Sequence, residues 1–465
     1  MIKKLSIALL LNLPILLLAQ SVTQKVNKQF QLFSKSESLK HASFSLTVLD
    51  AKNGATVFSS NTNLGLAPAS TLKLISSATA IQLLGGDYTF KTTVTYTGTI
   101  VNETLNGDLL INGHGDPTLG SNRWPNTNKN SILNLILQAI IKAGIKNING
   151  KIIANDSYWD TQSLPDGWLW QDIGNYYGAQ TSALCWDENQ LKLALVSGKN
   201  KGFKVSLKEK IAYPFLNLVN EVKTGDINTG DNVYAYSAPY TNIIYLRGYY
   251  GINCKKEIGI SLPDPALAMA YDLQAFLLKN NIPVNEITTA RLVGSAFQNP
   301  AKAVTIATII SPKLSEIIYP LNQKSVNLFA EQLLRTLAIE KGKDATFNTG
   351  INVIKKYWYN MGIDSTELNI YDGSGLSPAN KVSTTAMANI LYKAQNFTGF
   401  TQFYTSIPTH NNIVMKSGQI SNVLAYAGYQ SNGEGKYCFS IMINNYSGSR
   451  IAMRQKLFSL LDVLK

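Results

Sequence analysis

The chain is short of the residues that metal sites need. Its 465 residues include three histidines, His41, His114 and His410, and three cysteines, Cys185, Cys254 and Cys438. The histidines show no metal-ligand spacing and the cysteines no Cys-x-x-Cys, so a zinc enzyme is disfavoured and no metal or cofactor is implied. One disulfide with an odd thiol, or three reduced buried residues, both remain open. Charge is also sparse, at 15% Asp, Glu, Lys and Arg, and it is one-sided, with a formal net charge of +13. The lysines are scattered and form no basic stripe interleaved with aromatics, which argues against a nucleic-acid partner. A basic chain of this kind would meet an anionic wall or membrane surface peripherally, or simply be well solvated. Repeats, low-complexity tracts and long linkers are missing as well.

Long apolar runs are almost absent. The exception is the start, where Met1-Ile2-Lys3-Lys4 precedes the mostly apolar Leu5 to Leu18. That run is too short to span a bilayer comfortably and reads as a signal peptide over 1–20, cut near Ala19 or Gln20. No transmembrane segment is then expected in the mature chain, which is read as exported to the periplasm. The whole chain is 45% hydrophobic, ample for a core, and its length suggests roughly three domains.

Within it, one stretch is chemically costly. Leu72, Leu74, Ile75, Ala78, Ile81, Leu83 and Leu84 surround nearly the whole circumference of a helix that Gly85-Gly86 ends. Lys73 lies inside this apolar helix, and an ammonium removed from water must be paired or neutralised. Ser70 precedes it by three residues and shares its helix face, which suits a serine nucleophile with a lysine base. A capping serine followed by a snorkelling lysine is the bland alternative. Against it stands the fact that no other serine in the chain has a lysine three positions later.

The remaining segments organise around that helix. Two alternating runs, Ala42 to Asp50 and Ala55 to Ser59, flank Asn53-Gly54 and predict a hairpin. From Lys91 an α+β pattern follows, with a turn-rich loop at Gly113 to Gly120 and a helix near Ser131 to Ala143. Short strands dominate Leu191 to Ser261, and Asp264-Pro265 opens a helix running through Leu278. Helices are then expected near Lys313 to Tyr319, Ser325 to Leu337, Gly350 to Met361 and Thr384 to Ala394. Strands at Ile413 to Lys416, Ala425 to Gln430 and Tyr437 to Asn444 come before a final helix. Strands both before the Ser70 helix and near the C-terminus predict one domain in two pieces, 21–90 and 286–465. An α+β insert (91–190 and 250–285) would interrupt it, with a small β-rich unit nested at 191–249.

Two downstream motifs complete a set. Ser325-Val326-Asn327 begins an amphipathic helix, and Lys416-Ser417-Gly418 closes an apolar strand, where glycine would let a ligand approach the backbone. Ser-x-x-Lys, Ser-x-Asn and Lys-Ser-Gly in this order are the motifs of serine β-lactamases and penicillin-binding proteins. With Gly113-x-Gly115-Asp116-Pro117-Thr118-Leu119, Tyr177-Gly178-Ala179, Asp372-Gly373-Ser374-Gly375-Leu376-Ser377 and Ala427-Gly428-Tyr429, the chain resembles the low-molecular-mass class C penicillin-binding proteins, the D-alanyl-D-alanine carboxypeptidase/endopeptidase family. The resemblance covers nearly the whole mature chain, including the long interval between the first two motifs.

That resemblance implies a mixed α/β fold: a β-lactamase/transpeptidase-like domain with an antiparallel sheet, helices on both faces and two inserted domains. It implies an acyl-enzyme D,D-peptidase acting on peptidoglycan stem peptides and acylated by β-lactams. Ser70 would attack, neutral Lys73 would take its proton, Ser325 would relay a proton to the leaving amine, and Asn327 would hold the substrate amide. Lys416 and Ser417 would face the terminal carboxylate, with Gly418 and Gln419 beside it. The backbone N–H groups of Ser70 and Gln419 would form the oxyanion hole. Asp172 falls where such proteins can carry an acid that receives the free amine of a diaminopimelate side chain; a surface-loop acid is the alternative. Val326 replaces the commoner Asp or Asn, with its side chain expected to point away from substrate, and Gln419 replaces a frequent Thr. Glu331 and the Asp372 to Ser377 loop are expected to be structural. A β-lactamase, or a silent penicillin-sensing or wall-binding protein, would share the motifs.

Overall fold

The computed structural model describes residues 21–465; the expected signal peptide, 1–20, lies outside them. A six-stranded antiparallel sheet joins the two ends of the chain. Its order is Thr56–Ser60, Ser43–Asp50, Lys436–Asn444, Val423–Ser431, Ile413–Ile420 and Thr409–His410. Alternation along each strand gives the sheet two apolar faces. Ala425, Ala427, Cys438 and Met442 pack against the buried helix Leu72–Leu84 and its neighbours. Leu424, Tyr426, Phe439, Ile441 and Ile443 face the other way, onto the helices Val22–Ser34 and Arg450–Leu461.

The helix Val22–Ser34 is absent from the expectations above, although its signal is local. Ser21 and Gln24 form a capping box, and Val22, Val26, Phe30 and Phe33 make the stripe that covers the sheet. The helix expected from Ser325 starts instead at Asn327 and runs to Glu340. It is buried on every side from Asn327 through Ala338, not amphipathic, because it lies between the Ser70 helix and the helix Phe347–Asn360.

The second large sheet has seven strands. Lys91–Tyr96 and Leu109–Asn112 pair there with each other and with Val304–Ile310 and Asn147–Asn155, respectively. Val284–Thr289 adds in parallel to Asn147–Asn155. These pairings overturn the expected return to the first domain at 286: both Val284–Thr289 and Val304–Ile310 belong to the insert's sheet. Their partners lie far back in the sequence, Val284 opposite Ile148 and Val304 opposite Tyr96, beyond any local pattern. The edge drawn at 249–250 also fails, since the strand Ile243–Gly251 crosses it. Hydrophobic side chains of the β-rich unit, such as Val233, Ile244 and Leu246, share one core with Ile136, Ile152 and Leu273 of the α+β part. All three cysteines are free thiols. Among the described residues, no helix is long and apolar enough to cross a membrane.

Candidate active site

Ser70 sits at the end of a strained turn. Ala69 adopts φ 45°, a left-handed value that costs an alanine free energy and persists only where its surroundings hold it. One tight turn, Ala69–Thr71, then leads into Leu72–Leu84. Two glycines let other backbones close on this turn. A Cβ at Gly418 would come 2.4 Å from the Pro68 carbonyl oxygen and 3.0 Å from the Ser70 nitrogen. One at Gly375, whose φ is 82°, would come 1.9 Å from the Ala69 carbonyl oxygen. Gly418 therefore admits the turn that carries Ser70, where the sequence suggested space for a ligand.

Lys73 is fully buried on the same helix. Its Nζ lies 3.1 Å from Ser70 Oγ, 2.6 Å from Asn327 Oδ1 and 2.7 Å from the Ser374 carbonyl oxygen. Burial holds its pKa well below the usual lysine value, and the nearby Lys416 charge lowers it further; Asp372 and Glu331 oppose this. A neutral amine has two N–H bonds and one lone pair. With the two carbonyl oxygens taking the N–H bonds, the lone pair is left for the Ser70 hydroxyl.

Asn327 opens its helix with both ends of its amide engaged. Its Oδ1 accepts from Lys73, and its Nδ2 donates to the Tyr177 carbonyl at 2.7 Å, leaving one N–H free. Ser325, two residues earlier, is left-handed at φ 57° and stands outside the helix. Its Oγ accepts from Lys416 Nζ at 3.0 Å. Val326 packs against the core beneath, directed as expected. Lys416 is 2% exposed, and burial brings its pKa down to about 7.

Ser70, Ser325, Asn327, Gln419 and Asp172 line one cleft of about 870 Å3. Asp172 is thus part of the cleft wall. It accepts from the Tyr177 hydroxyl at 3.3 Å, and burial raises its pKa. Ser417 is placed differently. Strand alternation turns it, with Gln419, to the face opposite Lys416, where it lines a smaller adjoining cavity with Arg454. Gln419 and Arg450 border both cavities.

Sequence reasoning missed how the Ser374 carbonyl is held. Glu331 is buried and accepts from the backbone N–H groups of Gly373 at 2.9 Å and Ser374 at 2.8 Å, with its pKa pushed up to about 8 by burial and then by Asp372. Asp372 in turn accepts from Gly375 N–H at 2.8 Å, Ser377 N–H at 2.7 Å and the Trp168 indole at 3.0 Å. The loop thus presents a fixed carbonyl oxygen to Lys73. Its only sequence signal was two acids among otherwise apolar or turn residues. Among the described residues, no cluster of His, Cys, Asp or Glu is placed to hold a metal ion.

The chain is similar to known D-alanyl-D-alanine carboxypeptidases. Residues 26–461 match the model of the D-Ala-D-Ala carboxypeptidase 3 (S13) family. The D-alanyl-D-alanine carboxypeptidase of Actinomadura sp. (strain R39) is 25% identical over 439 residues, covering 88% of this chain and 79% of the relative. The D-alanyl-D-alanine carboxypeptidase DacB of Haemophilus influenzae is 26% identical over 418 residues, covering 83% of this chain and 82% of the relative. The crystal structure of that organism's penicillin binding protein 4 (dacB) superposes with a TM-score of 0.78 at 23% identity, covering 94% of this chain and 97% of the other. Its complex with a β-lactam gives a TM-score of 0.72 at 21% identity, over 94% and 97% of the two chains.

Proposed function

The chain belongs to the D-Ala-D-Ala carboxypeptidase 3 (S13) family of serine peptidases, and from that premise we propose an exported, periplasmic D,D-peptidase that cleaves peptidoglycan stem peptides through an acyl-enzyme on Ser70. The observation that carries this reading is the disposition of Lys73 Nζ, held by two carbonyl oxygens with its third direction toward Ser70 Oγ.

In the proposed reaction, the Ser70 hydroxyl donates its proton to neutral Lys73 as Oγ adds to the carbonyl carbon of the penultimate D-alanine. The Ser70 and Gln419 N–H groups stabilise the oxyanion. Collapse breaks the C–N bond, and Ser325, hydrogen-bonded to Lys416, passes its proton to the departing amine while recovering the one that Lys73 took from Ser70, so that Lys73 is neutral again. Lys416 and Gln419 at the strand edge meet the leaving group's carboxylate, while Ser417, turned to the adjoining cavity, stays out of that contact. Gly418 acts by letting the strand close on the Ser70 turn, and the free Asn327 N–H holds the substrate amide. Water then hydrolyses the ester. When the leaving amine is D-alanine the enzyme is a carboxypeptidase; when it is a crosslinked residue bearing a D-carboxylate, an endopeptidase. Asp172 receives the amine of a diaminopimelate side chain. A penicillin, whose strained amide mimics the scissile bond, acylates Ser70 covalently.

The test is mass spectrometry of the protein after benzylpenicillin, with release of D-alanine from a pentapeptide assayed in parallel. A penicilloyl adduct on Ser70 together with D-alanine release is expected. No adduct, or an adduct elsewhere, would reject the assignment.

A further inference from the structure

Beside the catalytic cleft lies a second cavity, of about 390 Å3, that the proposed chemistry does not use. Its walls include Trp170, Tyr236, Tyr240 and Tyr245, with Ser237 and Asn242 between them. Trp170 is 54% exposed, and its ring lies 6.1 Å from that of Tyr236. Tyr236 and Tyr245 are opposed on neighbouring antiparallel strands. The Arg247 guanidinium lies 5.4 Å from the first ring and 5.3 Å from the second, and Glu221 fixes it at 2.7 Å. Solvent-facing aromatic rings clamped in this way are preorganised, so a ligand that stacks on them orders little else.

Two elements contribute residues to both the cavity and the catalytic cleft. Trp170 opens the helical turn Trp170–Ile173, which places Asp172 in the cleft wall. Tyr234, which also lines the cleft, precedes Tyr236 by two positions on the strand Asp231–Tyr236. Residues two apart on a strand share a face and stand roughly 7 Å apart.

We propose that this aromatic cavity is a glycan subsite, taking the N-acetylated sugar from which the stem peptide hangs. The inference rests on the proposed peptidoglycan substrate and extends it from peptide to polymer. A pyranose ring presents an apolar face of C–H groups rimmed by hydroxyl and acetamido groups. Aromatic rings suit the face, and the short polar side chains of Ser237 and Asn242 suit the rim. No carboxylate lines the cavity, which disfavours a cationic ligand. A four-residue peptide between scissile bond and sugar spans at most roughly 14 Å when extended, the reach of a neighbouring cavity and not of a distant one.

The test compares two substrates, a disaccharide-pentapeptide and the same pentapeptide without sugar, using the full protein and its Tyr245→Ala variant. The variant is expected to lose about three- to tenfold in kcat/KM on the sugar-bearing substrate and to be unchanged on the free peptide. Equal loss on both, or loss on neither, would overturn the proposal. Should the variant fold poorly, chitotetraose added to the unaltered protein decides: it should inhibit turnover of the disaccharide-pentapeptide and leave the free pentapeptide untouched, and equal inhibition or none would overturn the subsite. A free pentapeptide that the unaltered protein does not cleave would instead reject the peptidase reading itself.

Discussion

Lys73 Nζ lies 2.6 Å from Asn327 Oδ1, a contact between residues 254 positions apart that fixes the proposed base against the proposed nucleophile. The amide oxygen and the Ser374 carbonyl occupy two directions around the nitrogen, leaving Ser70 Oγ the third. Taking the Ser70 proton requires a neutral amine in that position. Burial and then the second lysine push Lys73 in that direction.

Replacing Lys73 by arginine retains a long cation but one that does not deprotonate. Acylation of Lys73→Arg by a fluorescent penicillin should be slower by roughly 10²–10⁴, the range for loss of a positioned general base. A rate within threefold of the unaltered protein would rule out Lys73 as the proton acceptor.

A pH dependence follows from Lys416, whose pKa burial brings down to about 7. Above that value it loses the charge that, in the proposed mechanism, meets a carboxylate. Alkaline decline of kcat/KM is therefore expected for a pentapeptide with a free C-terminus and not for its C-terminal amide. The sign for stability is opposite. Between about 7 and the ordinary 10.5 the unfolded chain binds more protons at this position, so its contribution to stability rises with pH there, and the cost of burying the charge is complete below about 7. In Lys416→Met the charge that lowers the Lys73 pKa is gone, so the acidic limb should move to higher pH. An unmoved limb would mean the two lysines are not coupled.

In the proposed mechanism Glu331 acts on the chemistry through Ser374. In Glu331→Gln one of two backbone N–H groups loses its acceptor, at a cost of about 1–3 kcal/mol. The variant should melt earlier and acylate more slowly, with the acidic limb of its pH–rate profile displaced because the Ser374 carbonyl is no longer held against Lys73. A lower melting temperature with an unchanged profile would confine Glu331 to folding.

Gly418→Ala places a methyl group 2.4 Å from the Pro68 carbonyl oxygen. The strand must retreat from the Ser70 turn, so acylation should fall while the fold survives, overpacking of this kind costing about 1–3 kcal/mol. Circular dichroism with penicillin labelling checks this, and full labelling speed would contradict it.

Asp172→Ala should lower kcat/KM about tenfold or more for peptides with a free diaminopimelate amine relative to peptides without it, the expectation for a charge-assisted hydrogen bond. An unchanged ratio would return Asp172 to the role of a wall residue.

Much of the fold was legible wherever periodicity is local. The hairpin around Asn53-Gly54, the capped helix at Asp264-Pro265 and the buried helix after Ser70 all follow from neighbours a few positions apart. The strand Val304–Ile310 was not legible as part of the insert, because an antiparallel partner at Lys91–Tyr96 leaves no mark on the strand's own sequence. Ser417 shows the same limit at the site. Its hydroxyl suggested the main cleft, yet alternation on the strand turns it toward the adjoining cavity.

By itself the sequence determined which groups are available: a serine and a lysine on one helix face, a Ser-x-Asn, a Lys-Ser-Gly and an acid beside Tyr177. Their order and local spacing are covalent facts, and short-range sterics convert them directly into helix and strand. Only the tertiary structure decided that Lys73 has two carbonyl partners, that Ser325 takes a left-handed conformation against Lys416, and that Glu331 holds the loop presenting Ser374. The physical reason is that desolvation and Coulomb interaction sum over everything nearby in space, and the groups in that sum come from segments hundreds of residues apart.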